Sequence, residues 1–291
     1  MTRLSGIRGL LLDLDGVLVL QGRALPGAQD ALRDLDRRGL PFHVVTNTSL
    51  FSRESLSAWG RSVGLDVPAD RITSALSASA AYTAHAFPGQ ALYVIASEDA
   101  RREFAGQRLL SNDEADAPDA EAAAVVVGDA PEEATYDNLN RAFRLIRRGA
   151  RLIGMHKIRW WLTPAGPTLH SGAFVAGLEF AAGVRGMILG KPSPAFFREA
   201  ADEILTEVMR AAPPGPPSLR PPRPRRASVL MVGDDLWTDV LAAQRLGLRG
   251  AFVLSGKHGQ AELEQAARQP RGGGRPDIVA ASLTEVIEAL D

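Results

Sequence analysis

The stretch LLLDLDG, residues 10–16, sets the start of the fold. The largely apolar run from Ile7 to Leu14 is typical of a strand that is buried on both faces of a parallel sheet. Asp13 and Asp15 stand two residues apart, so on an extended chain their side chains emerge on the same side. Gly16 then permits a sharp turn. Asp and Gly are common in turns, so this motif alone is a weak signal.

Predicted strands and helices alternate along the rest of the chain. The first strand is followed by a helix over 29–38, a short strand over 42–45 and a helix over 52–63. The same alternation continues through 92–182 and again through 187–290. This rhythm predicts an α/β protein with an open, mostly parallel sheet that is covered by helices.

Polar residues follow three further predicted strands. In such sheets ligands bind beyond the carboxyl ends of the strands, where these side chains would gather. One of the segments, LGKPSPAFF, places a lysine beside a predicted helix N-terminus, and both favour an anion. Another, LMVGDDLWTDV, holds three carboxylates that repel one another unless a cation or a helix N-terminus offsets them. The residues concerned are Thr46 and Asn47, then Lys191, then Asp234, Asp235 and Asp239.

Each of these segments also has a plain structural interpretation. Thr46-Asn47 is more often a turn than a site, and Asp235 is suited to cap a helix in which Asp239 lies exposed. Apart from Lys191, the chain has only two lysines, Lys157 and Lys257. For those two, chance is as good an explanation as a function. Together the four segments are a more specific signal of a functional site than any one of them. Clustered carboxylates bind Mg²⁺, and a lysine with small polar donors binds a phosphoryl group beside that metal.

The amino-acid composition indicates a globular protein and argues against several classes of function. The 291 residues are 45% apolar and 23% charged, which suits a globular chain of about two domains. Lys and Arg number 33 against 34 Asp and Glu, and this net charge of −1 offers no basic surplus for nucleic acid or an anionic membrane. The absence of cysteine excludes disulfides, thiolate metal sites and thiol catalysis. We expect a cytoplasmic protein that acts on a small molecule.

The four motifs, in this order, resemble the haloacid dehalogenase superfamily of aspartate-nucleophile phosphatases. The resemblance covers nearly the whole chain, and segments such as SGAFVAGLEFAAG and GKPSPAFF are similar to subclass IIA. It implies a Rossmann-like, doubly wound parallel core with an inserted α/β cap of the C2 type. The implied domains are core residues 1–78, cap residues 79–186 and core residues 187–291. Relatives in this subclass often form homodimers through the cap.

The resemblance also implies a role for each motif residue. Asp13 would be the nucleophile, and Asp15 would protonate the leaving group and later activate water. Mg²⁺ would be bound by Asp13, the backbone carbonyl of Asp15 and Asp234, with Asp235 and Asp239 just outside its ligands. The phosphoryl oxygens would be bound by Thr46, Asn47 and Lys191.

The cap segment GMHKIRWWL, residues 154–162, is where substrate choice is expected. It has His156-Lys157-Ile158 where pyridoxal-phosphate phosphatases of the subclass have Asn-x-Asp, which argues against phosphosugar and pyridoxal-phosphate substrates. As one strand, it would place Lys157, Arg159 and Trp161 on one face, where Lys157 would bind substrate. The other interpretations are a solvated face and, for His156, a hydrogen-bonded core histidine.

Several alternatives stay open. The chain could be a phosphate-binding or scaffolding protein without turnover, or a phosphosugar or nucleotide phosphatase of the same subclass. A sugar phosphomutase or a dehalogenase would use the same fold, but dehalogenation does not need the carboxylates around Asp234. The segment AAPPGPPSLRPPRPRR, residues 211–226, is predicted to be a solvated loop, and a ligand for a proline-recognising module is the alternative.

Overall fold

The computed structural model describes residues 3–163, 166–211, 225–268 and 274–291. The chain forms two compact units. The first comprises Met1–Thr46, Ser57–Thr73 and Lys191–Asp291, and the second comprises Asn47–Leu56 and Ser74–Gly190. Among the described helices, none combines the length and apolar character needed to cross a membrane. Most of the Pro/Arg segment, residues 212–224, lies outside the described residues.

Strands and helices alternate through both units, as the sequence predicts. The strands are β1 (Gly9–Asp13), β2 (Val19–Leu20), β3 (Arg23–Ala24), β4 (Phe42–Thr46), β5 (Ile72–Ser74), β6 (Ala91–Ile95), β7 (Arg108–Leu109), β8 (Ala124–Val127), β9 (Arg151–Gly154), β10 (Trp160–Thr163), β11 (Gly166–Leu169), β12 (Met187–Ile188), β13 (Val229–Gly233), β14 (Arg249–Val253) and β15 (Ile278–Ala280). The helices are α1 (Ala28–Arg37), α2 (Arg53–Ser62), α3 (Ala75–Ala86), α4 (Glu98–Arg101), α5 (Asn112–Asp116), α6 (Tyr136–Arg147), α7 (Ser171–Ala182), α8 (Pro194–Ala211), α9 (Leu241–Gln244), α10 (Gln260–Arg268) and α11 (Leu283–Glu288).

The first unit is built on a six-stranded sheet in the order β15-β14-β13-β1-β4-β5. Strand β1 runs parallel to both β13 and β4, with Leu11 opposite Met231 on one side and His43 on the other. Every residue of β1, β4 and β13 is buried, which explains their nearly continuous apolar sequences. The predicted parallel α/β core is therefore confirmed, and the carboxyl ends of these three strands meet at one edge.

The second unit has its own sheet, in the order β12-β9-β8-β6-β7, with all of its strand pairs parallel. Successive residues of β8 point to opposite faces. Val125 packs in a cluster with residues of α6 and α7, and Val126 packs in a cluster with residues of α3. Because β12 pairs with β9, residues 187–190 belong to this unit, which extends beyond the cap boundary predicted at 186.

The cap segment 154–162 is not the single strand that its alternating pattern predicts. Strand β9 ends at Gly154, residues 156–159 belong to no strand or helix, and β10 begins a separate antiparallel hairpin with β11. His156 is fully buried and hydrogen-bonded, as in the core-histidine interpretation. Lys157 is ion-paired with Glu179 of α7 at 2.5 Å.

Candidate active site

A buried lysine joins two of the predicted site carboxylates. Lys191 directly precedes the turn into α8, which begins at Pro194 as the sequence predicts. Its Nζ atom lies 2.7 Å from Oδ1 of Asp13 and 2.9 Å from Oδ1 of Asp239, and it donates to the carbonyl oxygen of Val45 at 3.3 Å. Burial alone would lower the pKa of the ammonium, but the two carboxylates outweigh it and raise the pKa. Lys191 is therefore a permanent cation at this edge of the sheet.

Asp13 is the last residue of β1 and is buried. Its Oδ1 atom accepts a hydrogen bond from the backbone N–H of Leu14 at 2.7 Å, in addition to the contact with Lys191. Burial raises the pKa of the Asp13 carboxyl, Lys191 lowers it, and Asp234 raises it further, with a net upward shift. Both of these donors contact Oδ1, and the Asp239 carboxyl also lies against that of Asp13.

Asp15 and Thr46 occupy different environments at this edge. Asp15 is exposed, beyond the end of β1, and its backbone pairs with Val19 in an isolated bridge. Although the side chain reaches solvent, the protein around it displaces part of its water and so raises the pKa of the Asp15 carboxyl. The ammonium of Lys191 opposes this shift, and the carboxylate of Asp234 adds to it. Thr46 is buried at the end of β4. Asn47, the next residue, begins the second unit, where it is half-buried.

Asp234 follows β13, and its carboxylate packs against the backbone of two glycines, Gly16 and Gly256. Its Oδ2 atom accepts the backbone N–H of Lys257 at 2.6 Å. A Cβ atom added to Gly16 would lie 2.1 Å from this same oxygen, and one added to Gly256 would lie 2.0 Å from it. Only glycine therefore lets both loops approach the carboxylate. Burial raises the pKa of Asp234, and the bond from Lys257 offsets only part of this shift.

Asp235 and Asp239 organise the turn that follows β13. Asp235 accepts hydrogen bonds from the N–H groups of Trp237 and Thr238 at 3.1 and 2.9 Å, so it caps the short π-helical turn Leu236–Val240 as its sequence position predicts. Asp239 is buried, which argues against the alternative interpretation in which it lies exposed on a helix. Its Oδ1 faces Lys191 and its Oδ2 accepts the N–H of Asp235 at 3.3 Å. Both oxygens are thus engaged in positioning neighbours.

The acidic residues fit a hard divalent cation. Asp13, Asp234 and Asp239 each offer an oxygen, and these oxygens lie within 4.8 Å of one another. With Asp15, four carboxylates face the single ammonium of Lys191, because the side chain of Lys257 is paired with Asp235 at 2.7 Å. Oxygen-only ligands are what Mg²⁺ prefers. Asp13, Asp234 and Asp239 are therefore the side chains whose oxygens lie close enough together to share one ion.

Sequence reasoning missed the loop after β14. Lys257 holds Asp234 through its backbone and Asp235 through its side chain, and Ser255 Oγ donates to the carbonyl oxygen of Gly16 at 2.6 Å. The signal was available, because this loop follows a parallel strand at the same sheet edge as the other motifs. Ser255, Gly256 and Lys257 are therefore part of the site.

The chain is similar to known proteins along most of its length. The sequence model described as "Haloacid dehalogenase-like hydrolase" matches residues 10–109, and a HAD-hydrolase-like model matches residues 188–286. Haloacid dehalogenase-like hydrolase domain-containing protein 2 of Mus musculus is 32% identical over 264 residues, covering 91% of this chain and 90% of its own length. Phospholysine phosphohistidine inorganic pyrophosphate phosphatase of Homo sapiens is 32% identical over 261 residues, covering 88% of this chain and 86% of its own.

A solved structure is similar along the whole chain. The p-nitrophenyl phosphatase from Archaeoglobus fulgidus matches with a TM-score of 0.81 and 28% identity, covering 98% of this chain and 99% of that protein. The predicted fold class, a Rossmann-like core with an inserted cap, is thereby confirmed. Sequence relatives and structural neighbours together show that the chain belongs to the haloacid dehalogenase-like hydrolases, in the C2-capped subclass IIA.

Proposed function

We propose that the chain is a Mg²⁺-dependent phosphatase that transfers a phosphoryl group to Asp13 and then to water. The observation that carries the proposal is the buried Lys191, whose ammonium lies 2.7 Å from the carboxylate at the end of β1. A carboxylate nucleophile and an anionic phosphate repel each other, and a fixed cation beside both lowers that cost. The phosphatases among the relatives and neighbours support this class of reaction.

In the first step, a carboxylate oxygen of Asp13 attacks phosphorus and the bond between phosphorus and the leaving group breaks. Burial favours the protonated acid, but attack requires the carboxylate, and Lys191 together with the N–H of Leu14 stabilises that form. Lys191 and Thr46, which lie at this edge of the sheet, are proposed to bind the phosphoryl oxygens. Asn47, which follows Thr46, is proposed to do the same.

Asp15 acts first as the general acid and then as the general base. Its raised pKa favours the protonated acid, which delivers a proton to the leaving oxygen or nitrogen as the bond breaks. The resulting Asp15 carboxylate then takes a proton from the water that attacks the aspartyl-phosphate, which restores Asp13 and releases phosphate. Its exposure agrees with this role, because the same carboxyl must reach both the leaving group and water.

The metal ion would be bound by Asp13, Asp234 and the backbone carbonyl of Asp15. When bound, Mg²⁺ supplies positive charge that offsets the transferring phosphoryl group and the clustered carboxylates. Asp239 keeps Lys191 in place, and Asp235 keeps the turn and the Lys257 loop in place. These two residues are therefore positioning residues.

The proposed substrates are small phosphorylated compounds with P–O–C, P–N or P–O–P bonds. One relative is a phospholysine phosphohistidine inorganic pyrophosphate phosphatase, and one structural neighbour is a p-nitrophenyl phosphatase. We also propose that Lys157 contributes to substrate binding, because its side chain is 45% exposed beside Glu179. Lys157→Ala should then raise KM for pyrophosphate about tenfold at unchanged kcat.

Phosphate release from p-nitrophenyl phosphate tests the proposal. Wild-type protein should turn over with Mg²⁺ and stop in EDTA, and activity should return when Mg²⁺ is restored. Asp13→Asn keeps the side-chain volume but removes the attacking oxygen, so kcat should fall by about three orders of magnitude or more. Glu54→Gln, an exposed carboxylate on α2, is the control and should keep wild-type activity. Phosphate binding without turnover in the wild type would instead identify a binding or scaffolding protein.

A further inference from the structure

A second cluster of metal-ligating side chains lies within the second unit, and the proposed function uses none of its members. Asp129 follows β8, His156 follows β9, and His170 follows β11 at the start of α7. Nε2 of His156 lies 2.8 Å from Oδ2 of Asp129, and Nδ1 of His170 contacts Oδ1 of the same carboxylate. One ligand atom from each residue lies within 4.8 Å of the other two.

The surrounding backbone is shaped to bring these three segments together. A Cβ atom on Gly128, beside Asp129, would lie 2.4 Å from the sulfur of Met155, and one on Gly172, near His170, would lie 2.3 Å from the carbonyl oxygen of Ile158. Glycine at both positions therefore permits the close approach. Within the cluster His156 is fully buried, whereas Asp129 and His170 are half-buried.

Neighbouring serines orient the carboxylate. Ser49 Oγ donates to Oδ2 of Asp129 at 2.6 Å, and the backbone N–H of Ser171 donates to Oδ1 at 3.1 Å. The hydroxyl oxygen of Ser171 lies 3.1 Å from Nε2 of His156, so a further oxygen lies beside the His156–Asp129 contact. Hydrogen bonds of this kind hold a carboxylate in the orientation that metal binding requires.

We propose that Asp129, His156 and His170 bind one divalent transition-metal ion of the Zn²⁺ class. Two imidazole nitrogens and one carboxylate oxygen form a ligand set that suits Zn²⁺, Co²⁺ or Fe²⁺, whereas Mg²⁺ prefers oxygen alone. Metal–ligand bonds of about 2.0–2.2 Å need ligand atoms roughly 3.3 Å apart. Nε2 of His156 and Oδ2 of Asp129, which are 2.8 Å apart, therefore separate by about half an ångström on binding, and the closer contact between His170 and Asp129 lengthens by more.

Binding also changes the protonation of His156. Its Nδ1 atom now accepts the backbone N–H of Ile158 at 3.2 Å, so its Nε2 atom carries the proton that faces Asp129. The ion takes the place of that proton, and a neutral ring then carries its proton on Nδ1. The amide of Ile158 then loses this acceptor, so binding requires a local shift of the Ile158 backbone. Competition with protons predicts weaker binding at lower pH.

Co²⁺ titration of the full chain, followed by visible absorption, tests the proposal. Wild-type protein should develop the d–d bands of a site with nitrogen ligands at about one ion per chain. His170→Gln and His156→Gln should each weaken this binding by about two orders of magnitude. His85→Gln, an exposed histidine of α3, and Asp234→Asn in the first unit should both keep the bands.

A measurement on the wild-type protein removes the dependence on variants that fold poorly. Zn²⁺ added to protein labelled with ¹⁵N in its histidines should shift the ring resonances of His156 and His170 and move the ring proton of His156 to Nδ1. The proposal is overturned if the wild type shows no such bands or shifts, because the cluster is then a hydrogen-bonded network alone. Bands that persist in both His156→Gln and His170→Gln overturn it as well.

Discussion

The ammonium of Lys191 lies 2.7 Å from the Asp13 carboxylate, and both side chains are buried at the edge of the core sheet. Because Asp239 holds the same ammonium from its other side, Lys191 is fixed between two carboxylates. In the proposed mechanism, its positive charge is already in place beside the attacking carboxylate before a phosphoryl group arrives. Such preorganised charge is the largest single contribution to catalysis in many enzymes.

Replacing Lys191 by arginine should lower kcat although the charge is kept. The ammonium has three close partners in a buried space, and the planar guanidinium does not match a site built for a compact point charge. We expect about a hundredfold loss of kcat in steady-state assays. Arg198→Lys, at an exposed position on the helix α8 that follows Lys191, is the control and should be neutral. Unchanged kcat for Lys191→Arg would contradict the proposed fit.

Asp234→Asn and Asp13→Asn should differ in their response to Mg²⁺. Asp234 is proposed only to bind the ion, so its variant should regain part of its activity as Mg²⁺ is raised. Asp13→Asn should not recover at any concentration, because the attacking oxygen is lost. A Mg²⁺ titration of kcat/KM for both variants makes the comparison. Parallel curves would refute the division of roles.

Gly256→Ala should raise the Mg²⁺ concentration needed for half-maximal activity. Its Cβ would lie 2.0 Å from Oδ2 of Asp234, so the carboxylate or the loop must shift. Gly259→Ala is the matched control in the same loop, since its Cβ meets only Glu262 at 4.0 Å. We expect about a tenfold change for the first variant, corresponding to about 1.4 kcal/mol of lost metal binding, and none for the second. Equal behaviour of the two would show that this contact is unimportant.

Asp99→Asn should destabilise the second unit at neutral pH but not in acid. Despite some burial, hydrogen bonds from the N–H of Ser52 and from the hydroxyls of Ser52 and Ser55 lower the pKa of Asp99. The lowered pKa adds stability above the unfolded value of about 3.9, and this stability is lost as the pH falls further.

The expected loss for Asp99→Asn is about 2–4 °C in the melting temperature at pH 7, shrinking towards zero near about pH 2–3. Circular dichroism melts across this range measure it. Asp30→Asn, whose side chain is 83% exposed on α1, is the control. A difference that is independent of pH would mean that the carboxylate charge contributes nothing.

The sequence was most informative where a strand is buried on both faces. The apolar runs of β1, β4 and β13 correctly predict a parallel sheet, and the polar residues after them correctly mark one edge. The pattern failed at 154–162, because alternation alone cannot show where pairing stops. There the chain leaves β9 to bury His156 against Asp129, and β10 pairs only with β11.

The remaining omissions have a physical cause. Lys257 was not distinguished from a chance lysine because its main contact with Asp234 is made by the backbone, which carries no residue signature. Asp129, His156 and His170 are separated along the chain and meet only through the sheet and hairpin of the second unit. Asp129 and His156 follow parallel strands of this sheet, as Asp13 follows β1, whereas His170 follows a strand of the antiparallel hairpin, to which the strand-end rule does not apply.

The central claim is that Asp13 carries the phosphoryl group during turnover, and trapping the phosphoenzyme tests it most directly. Asp15→Asn slows the attack of water, so brief incubation with [³²P]pyrophosphate and Mg²⁺ followed by acid should leave label on the protein. Peptide mapping should place that label on residues 9–23, and Asp13→Asn in the same background should abolish it. Label on another residue, or phosphate release by an active enzyme with no phosphoenzyme at any time, would contradict the account.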